Sequence, residues 1–484
     1  MDISTILTAL QGWFGGLGID TWWQAFWLPA YFVTQVSYFA TFLVFYYFVS
    51  LPIDWVDPNE GRDMPEDELP FMVLAYPVLR ENAETMRTTL TALAKTDYPA
   101  SRYLNVALVN WDDHDTIKVL KALQADFTFE IIEVPATNHR GWHAVWRAWE
   151  RNDKAYWYHR GRTIGSRALP PKKTRQLIYL VYRLAEKIGT DWILDYIDAD
   201  SIPPPDHFRI AAGGLRHFDV LQSTNVAGNL MDSFPASLHA FDHMCWDGFL
   251  YPHMSAEGGH PYYVLGKGLF YRASDLLELG CFNPWVAIED PEIGLRLWTN
   301  GKRLGIIAEP LVEEVPRSFF RGVVQRYRWV CGFFQTLGSP LKRMGMPFLR
   351  RMQARLNLIP VLSLPVNLVG LPVGVNAAYL YFQGVSPLPA WAVFLSFVNI
   401  GLYLLTMLLL YRNSWYRSGL VVQGRLRRVW YLLRVNPISL FVYHTVWTLP
   451  IIIGFFLFVT DRGKTWARTT KYDAIRVFAG REEG

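Results

Sequence analysis

Long apolar stretches at both ends of the chain constrain its fold more than any other feature. Residues 26–51 carry no formal charge and are long enough to cross a bilayer as a helix. Residues 356–382, 388–411 and 437–459 form three more apolar stretches after a middle region of mixed composition. In a chain of 484 residues, this layout predicts a helical membrane part joined to a globular domain.

The distribution of charge predicts an orientation. The first lysine or arginine is Arg62, so the N-terminus lacks the basic region of a cleavable signal peptide. Arginines are concentrated at 412–434, which predicts a cytoplasmic loop. Residues 437–459 contain two prolines and precede a basic tail at 461–484. If residues 437–459 form a re-entrant or interfacial segment, which we favour, the tail stays on the cytoplasmic side of the membrane. If they span the membrane, the tail lies on the opposite side. We expect an integral inner-membrane protein whose globular domain is cytoplasmic.

The middle region alternates between strand and helix patterns. Buried strands are predicted at 71–75, 105–110, 129–134, 192–197 and 303–308, and helices at 83–95, 116–125, 174–187 and 317–337. This alternation is typical of a doubly wound parallel sheet, a Rossmann-like α/β fold.

Charge and cysteine content exclude some classes of protein. The net charge is +4 and no nucleic-acid motif is found, so we expect no nucleic-acid partner. Cys245, Cys281 and Cys331 are too few and too scattered for a disulfide framework or a zinc site. Residues 156–173 form a basic, glycine-containing loop, which is either a solvated face or a binding element for an anion.

Asp198 and Asp200 directly follow the strand predicted at 192–197. Residues i and i+2 of an extended chain point to one side, so both carboxylates can hold one hard divalent cation, Mg²⁺ or Mn²⁺. The carboxyl ends of parallel strands are also where such sheets bind ligands. Without other information, a turn before the prolines at 203–205 is the more common interpretation.

Two further acidic pairs begin predicted helices. Asp112 and Asp113 follow the strand at 105–110, where they can bind a nucleoside or cap the next helix, and capping is the more common role. Glu289 and Asp290 precede Pro291, which is typical of a helix start. The functional alternative makes Asp290 a general base. A helix N-terminus would fix its position but lower its pKa.

Gln325, Arg328 and Trp329 share one face of the helix predicted at 317–337. A guanidinium group can hold a diphosphate, and a tryptophan face can stack on a sugar ring. The alternative is an amphipathic helix at the membrane interface, and the two interpretations are compatible.

Other clusters are predicted to be structural. His239 and His243 lie four residues apart, but no third metal ligand is evident. Residues 266–268, Gly-Lys-Gly, lack the rest of a phosphate loop. The acidic runs at 66–68 and 313–314 are predicted to lie on solvated faces.

Taken in order, these motifs resemble family 2 glycosyltransferases, in particular the processive cellulose, hyaluronan and chitin synthases. Residues 77–81 correspond to the family's Pro-x-Tyr-Asn-Glu motif, but Leu79 and Arg80 replace the Tyr-Asn pair. The remaining matches are Asp112-Asp113, Lys173, Asp198-Ala199-Asp200, Gly266-Lys267-Gly268, Glu289-Asp290 and the Gln-x-x-Arg-Trp motif at 325–329.

The resemblance implies a GT-A fold and an inverting single displacement. It assigns catalysis to Asp290 and Glu289, and the cation to Asp200 and Asp198. It assigns the nucleotide and donor to Pro77, Glu81, Asp112, Asp113, Lys173, Asp198, Gln325 and Arg328, and the acceptor to Trp329, Gly266, Lys267 and Gly268. The implied cofactor is Mg²⁺ or Mn²⁺, and the implied donor is a UDP-sugar rather than a GDP-sugar.

The resemblance also implies a product, a growing β-linked polysaccharide, with export coupled to its synthesis. Transfer of one sugar to a lipid acceptor and a non-catalytic membrane scaffold are the alternatives. Because the predicted helices are few, a full channel would need a partner or a second copy. The expected layout is a membrane segment at 1–53, a transferase domain at 54–316, interfacial helices at 317–355, a transmembrane or re-entrant region at 356–460 and a basic tail at 461–484.

Overall fold

The computed structural model describes residues 22–159, 167–254, 260–262, 264–356, 365–384 and 390–460, together with 4, 5, 8, 9 and 12. The strands are β1 (Met72–Pro77), β2 (Tyr103–Asn110), β3 (Glu130–Val134), β4 (Ile193–Tyr196), β5 (Val220–Ala227), β6 (Leu269–Arg272) and β7 (Leu304–Glu313).

The helices up to β7 are α1 (Trp22–Val49), α2 (Ala83–Leu93), α3 (His114–Leu123), α4 (His143–Glu150), α5 (Lys173–Ile188), α6 (His207–Gly214), α7 (Phe234–Cys245), α8 (Ala273–Glu278) and α9 (Asp290–Thr299). Those after β7 are α10 (Phe319–Leu337), α11 (Phe348–Leu356), α12 (Pro365–Phe382), α13 (Ala390–Ser418), α14 (Arg425–Arg434), α15 (Pro437–Val446) and α16 (Thr448–Val459). Much of the basic loop predicted at 156–173 and the whole tail at 461–484 lie outside the described residues.

The seven strands form one mixed sheet in the order β3-β2-β1-β4-β6-β5-β7. The first four run parallel, which confirms the α/β fold, but β6 is antiparallel to both β4 and β5. The prediction of a wholly parallel sheet was therefore wrong, and β5 and β6 were missed. Strand β6 has only four residues and is almost wholly buried, so it carries no alternating pattern.

Both faces of the sheet are covered by helices. In β1, Val73 and Ala75 pack in one apolar cluster with α4 and α5, whereas Met72, Leu74 and Tyr76 pack in another with α2, α3 and α6. Alternate residues of a strand point to opposite faces, so every residue of β1 is buried. This arrangement fixes the carboxyl ends of β1 and β4 side by side.

Within the described part of the chain, three helical segments are long and apolar enough to cross a membrane: Pro29–Val49, Ala390–Ser418 and Pro437–Val459. The first two pack together, and Asn399 donates to Gln35 Oε1 at 2.8 Å. Polar pairs of this kind are common between helices in a bilayer. The third segment consists of α15 and α16, which meet at Trp447.

The apolar helices are joined directly to the globular domain. Arg417, near the end of α13, donates to the backbone carbonyl of Asn225 in β5 at 3.1 Å. Its guanidinium packs against Gly248, in a π-helical turn that follows α7. Helix α16 packs along α10, where Gly454 lies against Tyr327 and Val330. Helix α10 is therefore held between the sheet domain and the last apolar segment.

Candidate active site

A cavity of about 270 Å³ lies at the carboxyl ends of β1 and β4. Because β1 and β4 are parallel neighbours, the loops that follow them reach this edge of the sheet together. Helices α5, α7, α9 and α10 complete the walls. Of the residues expected to act, the cavity lining includes Pro77, Glu81, Lys173, Asp198, Asp200, Gly266, Lys267, Glu289, Asp290, Gln325, Arg328 and Trp329.

Lys173, the first residue of α5, lies at the centre of this group. Its ammonium is 3.3 Å from Asp198 Oδ1 and 3.3 Å from Glu289 Oε1, and it donates to the carbonyl of Gly266 at 2.7 Å. Burial lowers the pKa of Lys173, but the charges of Asp198, Glu289 and Asp290 more than offset this and raise it above its ordinary value. The ammonium is therefore a permanent positive charge between three carboxyl groups.

Asp290 is the first residue of α9, and the N-cap position before it belongs to Glu289, whose side chain makes no capping hydrogen bond. The helix start predicted from Glu289, Asp290 and Pro291 is therefore confirmed, with Asp290 one position inside the helix rather than at its N-cap. Burial, and then the charge of Glu289, raise the pKa of Asp290 well above its ordinary value. A Cβ atom on Gly266 would lie 2.6 Å from either carboxylate oxygen of Asp290, so only glycine leaves this carboxylate room.

Asp198 and Asp200 both face the cavity but differ in exposure. The side chain of Asp198 is 41% exposed beside Lys173, whereas Asp200 is buried and accepts the backbone N–H of Glu314 at 3.2 Å. Two carboxylates that line one cavity offer the oxygen donors that Mg²⁺ and Mn²⁺ prefer. The donor set therefore fits a hard divalent cation.

A second group of potential ligands lies in the cavity wall. His243, Asp247 and Glu313 bring one ligand atom each to within 4.8 Å of one another. Burial lowers the pKa of His243 to about 4, so the imidazole is neutral near pH 7. Lys267 forms an ion pair with Glu313, so the ammonium already balances part of the negative charge.

This group corrects two expectations. Glu313 and Glu314 are buried rather than solvated, because the end of β7 lies beneath the cavity. His243 does have acidic neighbours, whereas His239 faces Tyr443 Oη at 2.8 Å and is structural, as expected. Asp247 lies four residues after His243, a spacing that the sequence does contain, whereas Glu313 comes from β7 and no local pattern connects it with His243.

Helix α10 supplies the wall opposite Lys173. Gln325, Arg328 and Trp329 all reach the cavity from this helix. Burial lowers the pKa of Arg328, and the nearby Asp198, Glu289 and Asp290 oppose that shift. Trp329 packs on the His243 ring with centroids 5.5 Å apart. The cavity therefore has a cationic side and an aromatic side on one helix.

Arg326, which sequence reasoning did not select, is also buried on α10. Its guanidinium donates to Asp242 Oδ2 at 2.9 Å. The same group lies 5.7 Å from the ring centroid of Trp329 and 4.6 Å from that of Trp447. One residue therefore connects α7, α10 and the start of α16, and the signal in the sequence was its place within the 325–329 motif.

Three of the predicted residues fall outside the cavity lining as the described residues form it. Asp113 caps α3 by accepting the backbone N–H of Thr116, and Asp112 is exposed. Gly268 has a positive φ of 61° and donates its backbone N–H to the carbonyl of Tyr196 at 2.9 Å. Gly268 therefore directly precedes β6 and contributes backbone geometry rather than a contact surface.

The far end of the cavity is aromatic and reaches the apolar helices. Trp246 and Tyr251 line it from the segment after α7, and His444 and Trp447 line it from α15 and its junction with α16. A ligand in the cavity can therefore contact both the sheet domain and a segment apolar enough to enter a membrane.

A family model described as "Glycosyl transferase family group 2" matches residues 192–459, which is more than half of the chain. The matched region begins with β4 and ends with α16. It therefore includes most of the cavity and the apolar helices behind it.

Individual relatives are more distant. A protein named "Probable glycosyltransferase" from Sulfolobus acidocaldarius is 27% identical over 215 residues, which is 43% of this chain and 43% of that protein. The chain therefore aligns with less than half of that relative's length.

The solved structures to which the chain is similar include the following two. A Pyrobaculum calidifontis mannosyltransferase, solved with GDP-Man and Mn²⁺, has a TM-score of 0.52 and 14% identity, covering 90% of this chain and 99% of its own. S. aureus TarS, residues 1–349 with UDP-GlcNAc, has a TM-score of 0.33 and 11% identity, covering 78% and 91%.

Proposed function

Because the chain belongs to glycosyl transferase family group 2, we propose that it transfers a sugar from a nucleotide-sugar to an acceptor hydroxyl group with inversion. The observation that carries this proposal is the group formed by Lys173, Asp198, Asp290 and Arg328 around one cavity. It combines cations for a diphosphate with a carboxylate that can accept a proton.

In the proposed reaction, Asp290 takes the proton from the acceptor hydroxyl as its oxygen bonds to the anomeric carbon. The bond between that carbon and the diphosphate oxygen breaks, and its electron pair leaves with the nucleoside diphosphate. Lys173 and Arg328 hold the departing diphosphate, and Gln325 orients it. The raised pKa of Asp290 supports the assignment, because a base must bind a proton firmly enough to remove it from a hydroxyl.

Asp200 and Asp198 are the proposed ligands of Mg²⁺ or Mn²⁺. A bound cation would supply positive charge at the diphosphate as negative charge develops there. Both carboxylates line the cavity, which supports the assignment.

The nucleotide is proposed to lie along the ends of β1 and β2. Pro77 and Glu81 line that side of the cavity, and the exposed Asp112 follows the neighbouring strand. Asp113 caps α3, and we propose that it contributes to nucleotide binding by fixing the loop between β2 and α3. We favour a UDP-sugar, and the GDP-Man bound to the Pyrobaculum mannosyltransferase makes GDP-sugars the necessary comparison.

For the acceptor, we propose a growing β-linked polysaccharide that stacks on Trp329 and contacts Gly266 and Lys267. A second candidate is a lipid-linked acceptor that receives a single sugar. The observation that favours this candidate is the contribution of His444 and Trp447 to the cavity. We further propose that the chain is an integral inner-membrane protein with a cytoplasmic active site, and that export of a polymer would need a second copy or a partner.

The test is an assay of purified, detergent-solubilised protein with a panel of UDP- and GDP-sugars and Mn²⁺ or Mg²⁺, measuring nucleotide release and product size. Asp290→Asn runs beside Asp115→Asn, a matched change in the first turn of α3 that lies outside the cavity. We expect release from one donor with a long product, lost only in Asp290→Asn. Products with a single added sugar would favour the lipid-linked acceptor, and no release from any donor would contradict the proposal.

A further inference from the structure

Helix α14 carries an apolar stripe on the face that points away from the protein. Leu426, Val429, Trp430 and Leu433 are spaced i, i+3, i+4 and i+7, and all four are exposed, Leu426 to 85%. This spacing places them on one side of a helix. In a helix that packs on a globular core, the apolar stripe faces inward, so the orientation of α14 is the reverse of that pattern.

The opposite face of α14 attaches it to the protein. Tyr431 is fully buried there. Arg428 donates to the carbonyl of Trp415 and stacks on its ring, with the guanidinium 4.0 Å from the ring centroid. Arg434 donates to the carbonyl of Met231 at 3.0 Å. Because these contacts fix the rotation of the helix, the apolar stripe cannot turn inward without breaking them.

The charge around the stripe is entirely positive. Arg425 and Arg427 are exposed, and among the residues that the structure describes no aspartate or glutamate forms an ion pair with either. The chain has no acidic residue between Glu314 and Asp461, although Lys342 and the arginines at 317–355 and 412–434 lie within that stretch. The natural counterion for this surface must therefore come from outside the stretch.

Helix α11 shows the same arrangement independently. Phe348, Leu349 and Met352 are exposed, with Leu349 at 72%, while Ala354 on the opposite side is buried. Arg350 stacks on Trp298, with the guanidinium 4.9 Å from the ring centroid, and attaches the helix to α9. Two helices separated in the chain thus present an apolar stripe with arginines beside it.

Helix α14 lies in the chain between two segments that are long and apolar enough to cross a bilayer, Ala390–Ser418 and Pro437–Val459. Only a few residues join it to each of them. A helix tethered in this way stays at the bilayer surface, where exposed leucine and tryptophan side chains can enter the acyl region and arginines can meet headgroups.

We propose that the outer face of α14, assisted by that of α11, binds the anionic phospholipid headgroups of the bilayer that holds the apolar helices. Leu426, Val429, Trp430 and Leu433 insert between the lipids, and Arg425 and Arg427 bind lipid phosphates. This proposal goes beyond the transferase activity and does not depend on it.

The test uses full-length protein with a nitroxide label at Val429→Cys, reconstituted into nanodiscs of phosphatidylcholine alone or mixed with phosphatidylglycerol. Collision with oxygen, which concentrates in lipid, is compared with collision with a water-soluble nickel complex. Ile188→Cys is the matched control, because Ile188 is similarly exposed, at 47%, but lies on the globular domain. The native cysteines are buried or half-buried, and the labelled parent protein gives the background.

We expect the label at position 429 to be shielded from nickel and accessible to oxygen, more so with phosphatidylglycerol, while the label at 188 stays in water. Arg425→Gln with Arg427→Gln should abolish the effect of phosphatidylglycerol, whereas Lys118→Gln with Lys121→Gln on α3 should preserve it. The proposal is wrong if position 429 is as accessible to nickel as position 188, or if the arginine variant keeps the same lipid dependence. Because no turnover is measured, failure here is distinct from failure of the transferase assay.

Discussion

At the scale of single residues, the cavity concentrates charge that its surroundings can only partly balance. Glu289 is buried, the adjacent Asp290 is half-buried, and one ammonium, that of Lys173, interacts with both of them and with Asp198. Burying carboxylates together makes at least one of them hold its proton more firmly. Stability is therefore lower here than a neutral core would give, and the predicted chemistry depends on that imbalance.

Asp290→Asn should reduce nucleotide release by about a thousandfold, which is the range for a general base. Since only the deprotonated carboxylate accepts a proton, kcat/KM of the parent protein should rise with pH through an apparent pKa above the ordinary aspartate range. The pH profile of kcat/KM checks this. A value of kcat/KM that stays constant as the pH falls to the ordinary range of aspartate pKa values would contradict it.

The same variant should be more stable than the parent near pH 7. The pKa of Asp290 is raised in the folded state, so the folded protein binds more protons than the unfolded chain between the ordinary and raised values. Stability is consequently lost as pH rises through that window, and an amide avoids the loss. Thermal unfolding of both proteins across that pH range tests this. Equal melting temperatures of the variant and the parent would contradict the prediction.

Gly266→Ala should impair catalysis without unfolding the protein. The new methyl group would lie 2.6 Å from the Asp290 carboxylate oxygens, so that carboxylate must move. We expect kcat to fall by about a hundredfold, as misplacement of a reacting group does. Gly401→Ala, with no neighbour within 4 Å, is the matched control. Full activity of Gly266→Ala would contradict the proposed position of the Asp290 carboxylate at the reacting atoms.

Asp242→Ala should destabilise the protein by about 3 kcal/mol, because it leaves the buried Arg326 charge without its partner. The double variant Asp242→Leu with Arg326→Met should recover most of that loss, since it removes both charges. Thermal unfolding of Asp242→Leu, Arg326→Met and the double variant completes a cycle. Additive losses would show that the pair is not coupled.

At the scale of elements, α10 and α16 form the most consequential contact. Phe334 on α10 packs on Phe455 and Phe458 of α16, and Gly454 lets the helices approach closely. Since α10 carries Gln325, Arg328 and Trp329, the position of the last apolar segment sets the position of those side chains.

Gly454→Val should therefore lower both activity and thermal stability. A Cβ atom at this position would lie 2.8 Å from the carbonyl oxygen of Tyr327 and from Val330, so the helices must separate. Overpacking of this kind costs about 1–3 kcal/mol. Gly374→Val on α12, where no neighbour lies within 4 Å, is the control for changing a glycine in an apolar helix. Unchanged stability would mean that α16 does not support α10.

At the scale of the whole molecule, the cavity belongs to no single region of the chain. Lys173, Asp198 and Asp290 come from the sheet domain, Arg328 from α10, and His444 and Trp447 from the apolar segment at the end. The layout of separate regions predicted from the sequence remains a prediction, but their side chains meet in one place.

The sequence predicted much of this from local patterns. The first four strands and helices α2, α3 and α5 were predicted from short apolar runs and regular apolar spacing, whereas α4 was not predicted. Asp198, Asp200, Asp290 and Arg328 were selected because carboxylates at strand and helix ends, and arginine on a helix face, have few common roles. Strands β5 and β6 were not found, since both are buried along almost their whole length and so show no alternation of apolar and polar residues.

What the sequence determined by itself is the set of local structures: apolar helices at both ends, an α/β middle, and acidic residues at the ends of its strands. These follow from periodicity and length, which neighbouring residues encode. Only the tertiary structure decided that Glu313 is buried beside His243, that the Asp290 carboxylate lies against Gly266, and that Arg326 joins three helices. Burial and charge coupling arise between residues far apart in the chain, so no local pattern can specify them.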